Sequence, residues 1–194
     1  VSRLLEQLAT ARHSRADSAP IETLREASDL VQCGIDRMVG LLASLRRYVH
    51  GGSGQQVRFD LSECVQDTLV LLRRRLGLQE IALSVSVDGD LPICGDRSEL
   101  NQVLTNLVVN AMHAMPNGGS LTIEGRRSEE WCSVWVYDTG SGIPPAIRDR
   151  IFDPLFTTRA AGEGTGLGLS ISFEIVRRHG GQLQLVHSNG QGST

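Results

Sequence analysis

Asn106 and Asn110 stand four residues apart within residues 96–115, where apolar residues recur at helical spacing. Side chains at that interval project from the same side of a helix, so the two amides would meet one ligand. Asparagine is a mediocre helix former, and an amide oxygen is a hard, neutral ligand of the kind that Mg²⁺ accepts. The pair therefore favours a polar ligand with a metal, with two solvated asparagines as the alternative. His113 lies one turn further on, where it could donate to a phosphate or simply lie at the surface.

A carboxylate and two glycines follow a hydrophobic segment. Asp138 comes directly after residues 133–137, which read as a strand, so its side chain would lie at a strand end. There it could accept a hydrogen bond from an exocyclic amine such as that of adenine. Gly140 and Gly142 would let the backbone approach a flat ring closely. A tight loop with aspartate as the turn former is the competing interpretation.

Alternating glycines, at positions 162, 164, 166 and 168, lead into a predicted helix over residues 168–179. Backbone N–H groups at the start of a helix bind anions, and glycine permits bare backbone to wrap phosphate groups. Arg159 can add a charge-assisted hydrogen bond to a phosphate. Phe152 and Phe156 are expected to anchor this loop to the core. The motifs GxxxxGK(S/T) and GxGxxG after a first strand are absent, which excludes a P-loop and argues against a dinucleotide site.

The elements that position these segments can be predicted from periodicity. Helices are expected over residues 61–76, 96–115 and 168–179. Strands are expected over residues 81–87, at Leu121 and Ile123, over residues 134–137 and, last, at Leu183 and Leu185, which alternate with polar residues. This mixture predicts an α+β fold, a two-layer α/β sandwich with helices on one face of a sheet.

The first fifty residues have a different pattern. Residues 3–13 read as a short helix, and residues 20–49 carry an apolar stripe at steps of three and four. Such a stripe requires another helix, from this chain or from a partner. We therefore predict a partial helical hairpin over residues 1–50, a glycine-rich linker over residues 51–57 and a second domain over residues 58–194.

The composition narrows the class of protein. The chain has 194 residues, 40% of them hydrophobic and 21% charged, with a formal net charge of −3. The chain lacks the excess of basic residues that is typical of nucleic-acid-binding proteins. No apolar run approaches the ~20 residues of a membrane span. The start of the chain lacks a signal peptide, so a cytoplasmic location is expected, which leaves open a membrane anchor in a longer parent. The four cysteines form no CxxC pair, which predicts reduced, mostly buried thiols: Cys33, Cys64, Cys94 and Cys132.

Four segments resemble, in order and spacing, the N, G1, F and G2 boxes of the histidine kinase catalytic domain, a member of the gyrase-type (GHKL) ATPase superfamily. They occupy residues 99–111, 138–144, 152–158 and 164–170. The resemblance covers about residues 58–194 and implies the Bergerat ATP-binding fold with a mixed sheet. Residues 117–119, Asn-Gly-Gly, and 154–158, Pro-Leu-Phe-Thr-Thr, are similar to the nitrogen-regulation-type branch of these kinases.

The resemblance implies that ATP and Mg²⁺ are the ligands. Asn110 would bind the metal with Asn106 beside it near the phosphates, and Asp138 would read the adenine amino group. Residues 157–167 would form the ATP lid, in which Arg159 stands where this branch often has lysine. The implied ATP-binding residues are Asn106, Asn110, His113, Asp138, Gly140, Gly142, Ile143, Thr157, Thr158, Arg159, Gly164, Thr165, Gly166, Leu167 and Gly168.

The segment over residues 34–49 is similar to the second helix of the kinase's dimerisation and phosphotransfer hairpin, which implies a homodimer through residues 3–49. The family's phosphoacceptor histidine precedes an acidic residue and then Pro-Leu. Neither His13 nor His50 has that context, so the acceptor is expected upstream of Val1. The implied reaction passes the ATP γ-phosphate to that histidine and then to the receiver domain of a response regulator. No nucleic-acid partner and no membrane contact by this part of the chain are expected.

Two other functions remain open at this stage. The chain could be a non-catalytic signalling module that binds ATP, or nothing, and acts by dimerisation without a phosphoacceptor. It could also be a gyrase-like ATPase, although those enzymes usually have a glutamate base where Asn106 stands here.

Overall fold

The computed structural model describes residues 56–159, 164–190 and 192–194. The predicted helical hairpin, with His13, Cys33 and His50, lies outside the described residues. So do most of the predicted linker and the part of the lid over residues 160–163.

Helices and strands alternate through the described residues. In chain order they are β1 Val57–Asp60, α1 Leu61–Leu78, β2 Ile81–Val87, β3 Pro92–Gly95, α2 Arg97–Ala114, β4 Gly119–Arg127, β5 Cys132–Asp138, a 3-10 helix Pro145–Arg150, α3 Gly168–Arg178, β6 Ser188–Asn189 and β7 Gly192–Ser193. The three helices predicted for this part are confirmed to within two residues at each end, as are the strands β2 and β5. The strand predicted at Leu121 and Ile123 is confirmed as β4, which continues four residues beyond Ile123.

The main sheet has five strands in the order β2-β4-β5-β7-β6. β2 and β4 run parallel, and the other neighbours are antiparallel, so the sheet is mixed as expected. The register places Leu121 of β4 opposite Asp138 at the end of β5, and Asp138 opposite Ser193 of β7. β1 and β3 form a separate antiparallel pair. The end of β5 therefore lies inside the sheet, with a paired strand on either side.

The core lies between β4 and the two helices α1 and α2. Leu121 and Ile123 of β4 are buried against Leu76 of α1 and Val108 of α2. The residues of β4 that alternate with them are only partly buried, because successive side chains of a strand point to opposite faces. None of the helices in the described part of the chain is long and apolar enough to cross a membrane.

Side-chain hydrogen bonds fix the start of α2. Asp96 is its N-cap, and the carboxylate accepts from the backbone N–H groups of Ser98 and Glu99. Such a cap satisfies N–H groups that have no partner within the helix. The N–H of Asp96 donates to Nε2 of His179, the residue that ends α3, at 2.9 Å. The first turn of α2 is thus tied to the last turn of α3.

The predicted strand at Leu183 and Leu185 is wrong. Residues 181–187 have no regular secondary structure, and the strand in this region is Ser188–Asn189. The alternation is real, because Leu183 and Leu185 are half-buried and Gln182 and Gln184 are exposed. It reports burial on one side of an extended segment, whereas a strand also needs a hydrogen-bonded neighbour along its length.

The cysteine prediction is only partly right. Cys64 is buried and Cys132 half-buried, but Cys94 is exposed on β3, and all three are free thiols. Burial raises the pKa of Cys64 to about 11, which keeps it protonated and unreactive at neutral pH.

Candidate nucleotide-binding site

One row of residues on α2 contacts three different loops, two through side chains and one through a backbone carbonyl. Asn106, Asn110 and Ala114 follow at intervals of four residues, which places them on one side of the helix. In turn they contact the start of α3, Arg159 at the base of the lid, and the loop after β5. Eight helical residues span about 12 Å. The row, which belongs to the predicted N segment, is therefore contacted on one side by the G1 and G2 segments and by Arg159, the residue after the F segment.

Asn106 holds the first turn of α3. Its Nδ2 donates to the carbonyl oxygen of Gly168 and to Oγ of Ser172, both at 3.1 Å. Ser172 is fully buried, and its Oγ donates in turn to the Gly168 carbonyl at 2.9 Å. The sequence indicated a ligand for this amide, but in the structure its nitrogen donates to protein atoms of α3. Ser172, which the sequence analysis did not single out, completes the contact.

Asn110 presents its oxygen to a cationic side chain. Its Oδ1 accepts a hydrogen bond from Nη2 of Arg159 at 2.9 Å. Both side chains are half-buried. The two residues that the sequence assigned to the metal and to the phosphates are therefore in direct contact.

Asp138 lies at the end of β5 with its carboxylate held in place. Its Oδ1 accepts from the N–H of Gly140 at 2.9 Å. Burial raises the pKa of Asp138 above its ordinary value, while hydrogen bonds from the N–H groups of Gly140 and Ser193 oppose that shift. A half-buried carboxylate with oriented lone pairs is suited to accept a hydrogen bond from a ligand amine.

The loop after β5 needs glycine because the protein backbone is close. A Cβ on Gly140 would lie 2.6 Å from both Cβ and the carbonyl oxygen of Ala114. Gly142 has a φ of +68°, in the left-handed region, and a Cβ there would overlap the carbonyl of Asn189. Each of these glycines therefore packs against another segment of the chain. That they also line the base pocket stays a prediction.

Two hydrogen bonds to Ser188 join this region to the C-terminal hairpin formed by β6 and β7, and a third links Arg148 to Ile143. The N–H of Ile143 donates to Oγ of Ser188 at 2.6 Å. Arg148 donates through Nε to the Ile143 carbonyl at 3.1 Å, and through Nη2 to the Ser188 carbonyl. Ser188 is buried. Ser188 and Arg148 carry no recognisable motif, so only the folded structure identifies their role.

The base of the lid is a short, turn-rich segment. Oγ1 of Thr157 accepts from the N–H of Arg159 at 3.2 Å, while Thr158 is exposed. A Cβ on Gly166, which has a φ of +66°, would overlap the backbone carbonyl carbon of Leu155. Leu155 itself has a φ of +65°, a conformation that costs energy in a residue other than glycine. Two residues with positive φ, Leu155 before the lid and Gly166 at its end, are therefore in close contact.

The start of α3 has no side-chain cap, and Leu167 is its N-cap residue. The N–H of Leu167 itself donates to Oγ1 of Thr165 at 3.4 Å. A Cβ on Gly168 would make only ordinary contact with Cγ of Asn106, at 3.7 Å, and its contact with a phosphate stays a prediction. Uncapped N–H groups and the helix dipole favour phosphate here.

Three further predicted residues, His113, Phe152 and Phe156, lie outside the row on α2. His113 is exposed in the last turn of α2, and its contact with a phosphate stays a prediction. Phe152 packs against Phe173 of α3 with ring centroids 5.2 Å apart, and the guanidinium of Arg150 lies 4.5 Å from the centre of the Phe156 ring. The phenylalanines thus attach this segment to α3 and to the 3-10 helix.

Known proteins share this arrangement. Residues 95–194 match the family described as histidine kinase-, DNA gyrase B- and HSP90-like ATPase. The sensor histidine kinase ZraS of Escherichia coli (strain K12) is 38% identical over 136 residues, which are 70% of this chain and 29% of that protein. The sensor kinase CckA of Brucella abortus (strain 2308) is 36% identical over 151 residues, again 70% of this chain but 16% of that protein. The chain thus spans less than a third of the length of both curated relatives.

Solved structures agree on the fold. The catalytic domain of the histidine kinase ThkA superposes with a TM-score of 0.65 and 32% identity, over 72% of this chain and 91% of that one. ThkA in complex with the response regulator TrrA superposes with a TM-score of 0.70 over 99% of this chain and 60% of that one, but at 24% identity it supports the fold alone. The chain belongs to the histidine kinase-, DNA gyrase B- and HSP90-like ATPase family and carries a histidine kinase catalytic domain.

Proposed function

We propose that the described domain binds ATP with Mg²⁺ along the row formed by Asn106, Asn110 and Ala114. The observation that carries the proposal is that one side of α2 contacts all three predicted nucleotide-binding loops. The adenine amino group would donate to Asp138 at one end of the row. The phosphates would meet the N–H groups at the start of α3 at the other end.

The residues at the middle of the row fit a magnesium ion. Asn110 Oδ1 is a neutral oxygen that accepts a hydrogen bond from a guanidinium in this structure, so its surroundings tolerate a cation. Mg²⁺ takes few protein ligands and keeps several waters, which one or two amide oxygens and the phosphates would complete. Magnesium would neutralise phosphate charge, while the chain's own groups orient the nucleotide.

In the whole protein, we propose that this domain phosphorylates a histidine on its dimerisation hairpin and that a response regulator receives the phosphate. Family membership and the sensor kinases among the relatives support this reading. A homodimer through residues 3–49, a place in the nitrogen-regulation-type branch and a cytoplasmic location belong to the same proposal. The gyrase-like alternative is weaker, because Asn106 stands where a glutamate base would be and donates to α3 instead.

Titration of the full 194-residue chain with a non-hydrolysable ATP analogue tests the proposal. We expect Mg²⁺ to tighten binding at least tenfold, since a metal bridging phosphates and protein adds charge-assisted contacts. Asn110→Ala should lose most of that gain, whereas Asn117→Ala, in the exposed turn after α2, should keep it. Equal binding with and without Mg²⁺ in the wild-type chain would contradict the metal site, and no binding at all would contradict the nucleotide site.

A further inference from the structure

We propose that Arg159 and Mg²⁺ are alternative cations for the same atom, Oδ1 of Asn110, so that Arg159 sets how strongly nucleotide binding depends on the metal. The proposal rests on the nucleotide site described above. It goes further by assigning the arginine a role opposite to that of the metal, where sequence analysis had made it a simple phosphate ligand.

The contact between Arg159 and Asn110 is built into the structure. Nη2 of Arg159 lies 2.9 Å from Oδ1 of Asn110. Its backbone N–H is held by Oγ1 of Thr157 at 3.2 Å. Gly164 lies beside its stem, because a Cβ built on that glycine would lie 3.1 Å from Arg159 Cδ. The backbone hydrogen bond thus holds Arg159 in a local turn, from which its guanidinium reaches Asn110 of α2.

The guanidinium and the metal compete for the same position. Both are cations that bind an amide oxygen, the first through an N–H donor and the second directly. If both bound Oδ1 through its two lone pairs, a charge of +1 and a charge of +2 would lie within a few ångströms, where repulsion is strong in a partly buried site. Binding of the metal therefore requires the guanidinium to leave Asn110.

This exchange has opposite consequences for the two forms of the nucleotide. Without metal, Arg159 is a cation already in place at the centre of the row, where it offsets part of the phosphate charge. With metal, the energy of its bond to Asn110 must be given up before Mg²⁺ can bind. Arg159 thus favours metal-free nucleotide and opposes the metal complex, which lowers the selectivity for Mg-ATP.

The test compares the affinity of the full chain for the ATP analogue in excess Mg²⁺ and in excess EDTA, by calorimetry, for wild type and Arg159→Met. We expect the metal-free affinity to fall about tenfold, as one charge-assisted contact is lost. Affinity in Mg²⁺ should stay equal or rise up to about threefold, since a competing cation has gone. The gain from Mg²⁺ should therefore grow by about tenfold or more.

Arg159→Lys is the second variant. Its gain in affinity from Mg²⁺ should lie between those of wild type and Arg159→Met, because an ammonium keeps the charge without the planar fork. Arg126→Met is the control, because it removes the same charge from β4, where Arg126 pairs with Glu124, and it should leave both affinities unchanged. If Arg159→Met loses affinity equally in Mg²⁺ and in EDTA, Arg159 is a plain phosphate ligand and the exchange is overturned. Unchanged affinity in both conditions would also overturn the exchange. Loss of the Mg²⁺ effect in wild type would instead overturn the metal site itself.

Discussion

The two ends of the proposed site are constructed differently. At the end of β5, Gly142 packs against the carbonyl of Asn189, and Ile143 is hydrogen-bonded to the buried Ser188. At the lid, the guanidinium of half-buried Arg159 donates to Oδ1 of half-buried Asn110, and the neighbouring Thr157 and Thr158 are exposed. The first end depends on backbone packing that leaves no space for a side chain. The second depends on polar contacts that ligands can replace.

This difference matches what each end would have to recognise in the proposed site. Adenine is rigid and uncharged, so a pocket of fixed shape with one oriented acceptor is enough to bind it. A triphosphate carries several charges and must later lose one group, so its contacts have to be exchanged. The predictions below separate packing effects at the first end from hydrogen-bond effects at the second.

The largest effect is expected from Gly142→Ala. The change combines a left-handed φ of +68° with overlap on the Asn189 carbonyl, so unfolding free energy should fall by about 3 kcal/mol or more. The control is Gly180→Ala, where φ is +74° but nothing lies within 4 Å of the Cβ position. It should cost only about 1–2 kcal/mol. Urea unfolding measures both, and equal losses would mean that close packing does not define this end.

The next largest effect is expected from Asn106→Ala. Loss of its two donors leaves Ser172 and the Gly168 carbonyl less satisfied, which should cost about 2 kcal/mol of stability and weaken nucleotide binding at the start of α3. Asn101→Ala on the same helix removes an Oδ1 that is buried without a partner in the described residues. That control should change stability by less than about 0.5 kcal/mol. Similar losses for both variants would argue against the contact with α3.

Asp138→Asn should affect binding and not folding. An amide can place its NH₂ where the carboxylate accepted, so affinity for the ATP analogue should fall about tenfold. Stability should hold or rise slightly, since a half-buried charge is removed. Binding and thermal melting of the same sample decide the matter. A variant that melts early and binds normally would contradict the role given to Asp138.

The smallest effect is a pH dependence of stability. The pKa of Asp138 is raised in the folded protein above its ordinary 3.8, so between the two values the folded state holds a proton that the unfolded chain has released. Stability therefore falls as the pH rises from 3.8 through the raised pKa. The difference between wild type and Asp138→Asn in urea unfolding across that interval should be under about 1 kcal/mol and carry this sign. A wild type that gains stability relative to Asp138→Asn as the pH rises would show the opposite shift.

Much of this architecture could be predicted from local pattern. The apolar spacing of residues 97–114 and the glycines before residue 168 determine two helices, and alternation identified β2, β4 and β5. The short pair β1–β3 was missed, because four residues carry too little periodicity. At Leu183 and Leu185 the pattern was misread, because alternation measures burial and not pairing.

The candidate site divides in the same way. Residue types at fixed spacing pointed to Asn110, Asp138 and the glycines, since those side chains act through their own chemistry. Ser172, Ser188 and Arg148 were missed because each forms a hydrogen bond with a residue 40 or more positions away in the sequence. Only the fold brings such partners together.

The four-residue interval on α2 also restricts how the chain can change in length. Inserting one residue between Asn106 and Ala114 would turn everything beyond it by about 100° around the helix axis, and one of the three loops would lose its partner. The exposed turn from Ser128 to Trp131, between β4 and β5, faces no such restriction. Insertions and deletions among natural variants should therefore collect in turns of that kind, while the number of residues in this helix stays constant.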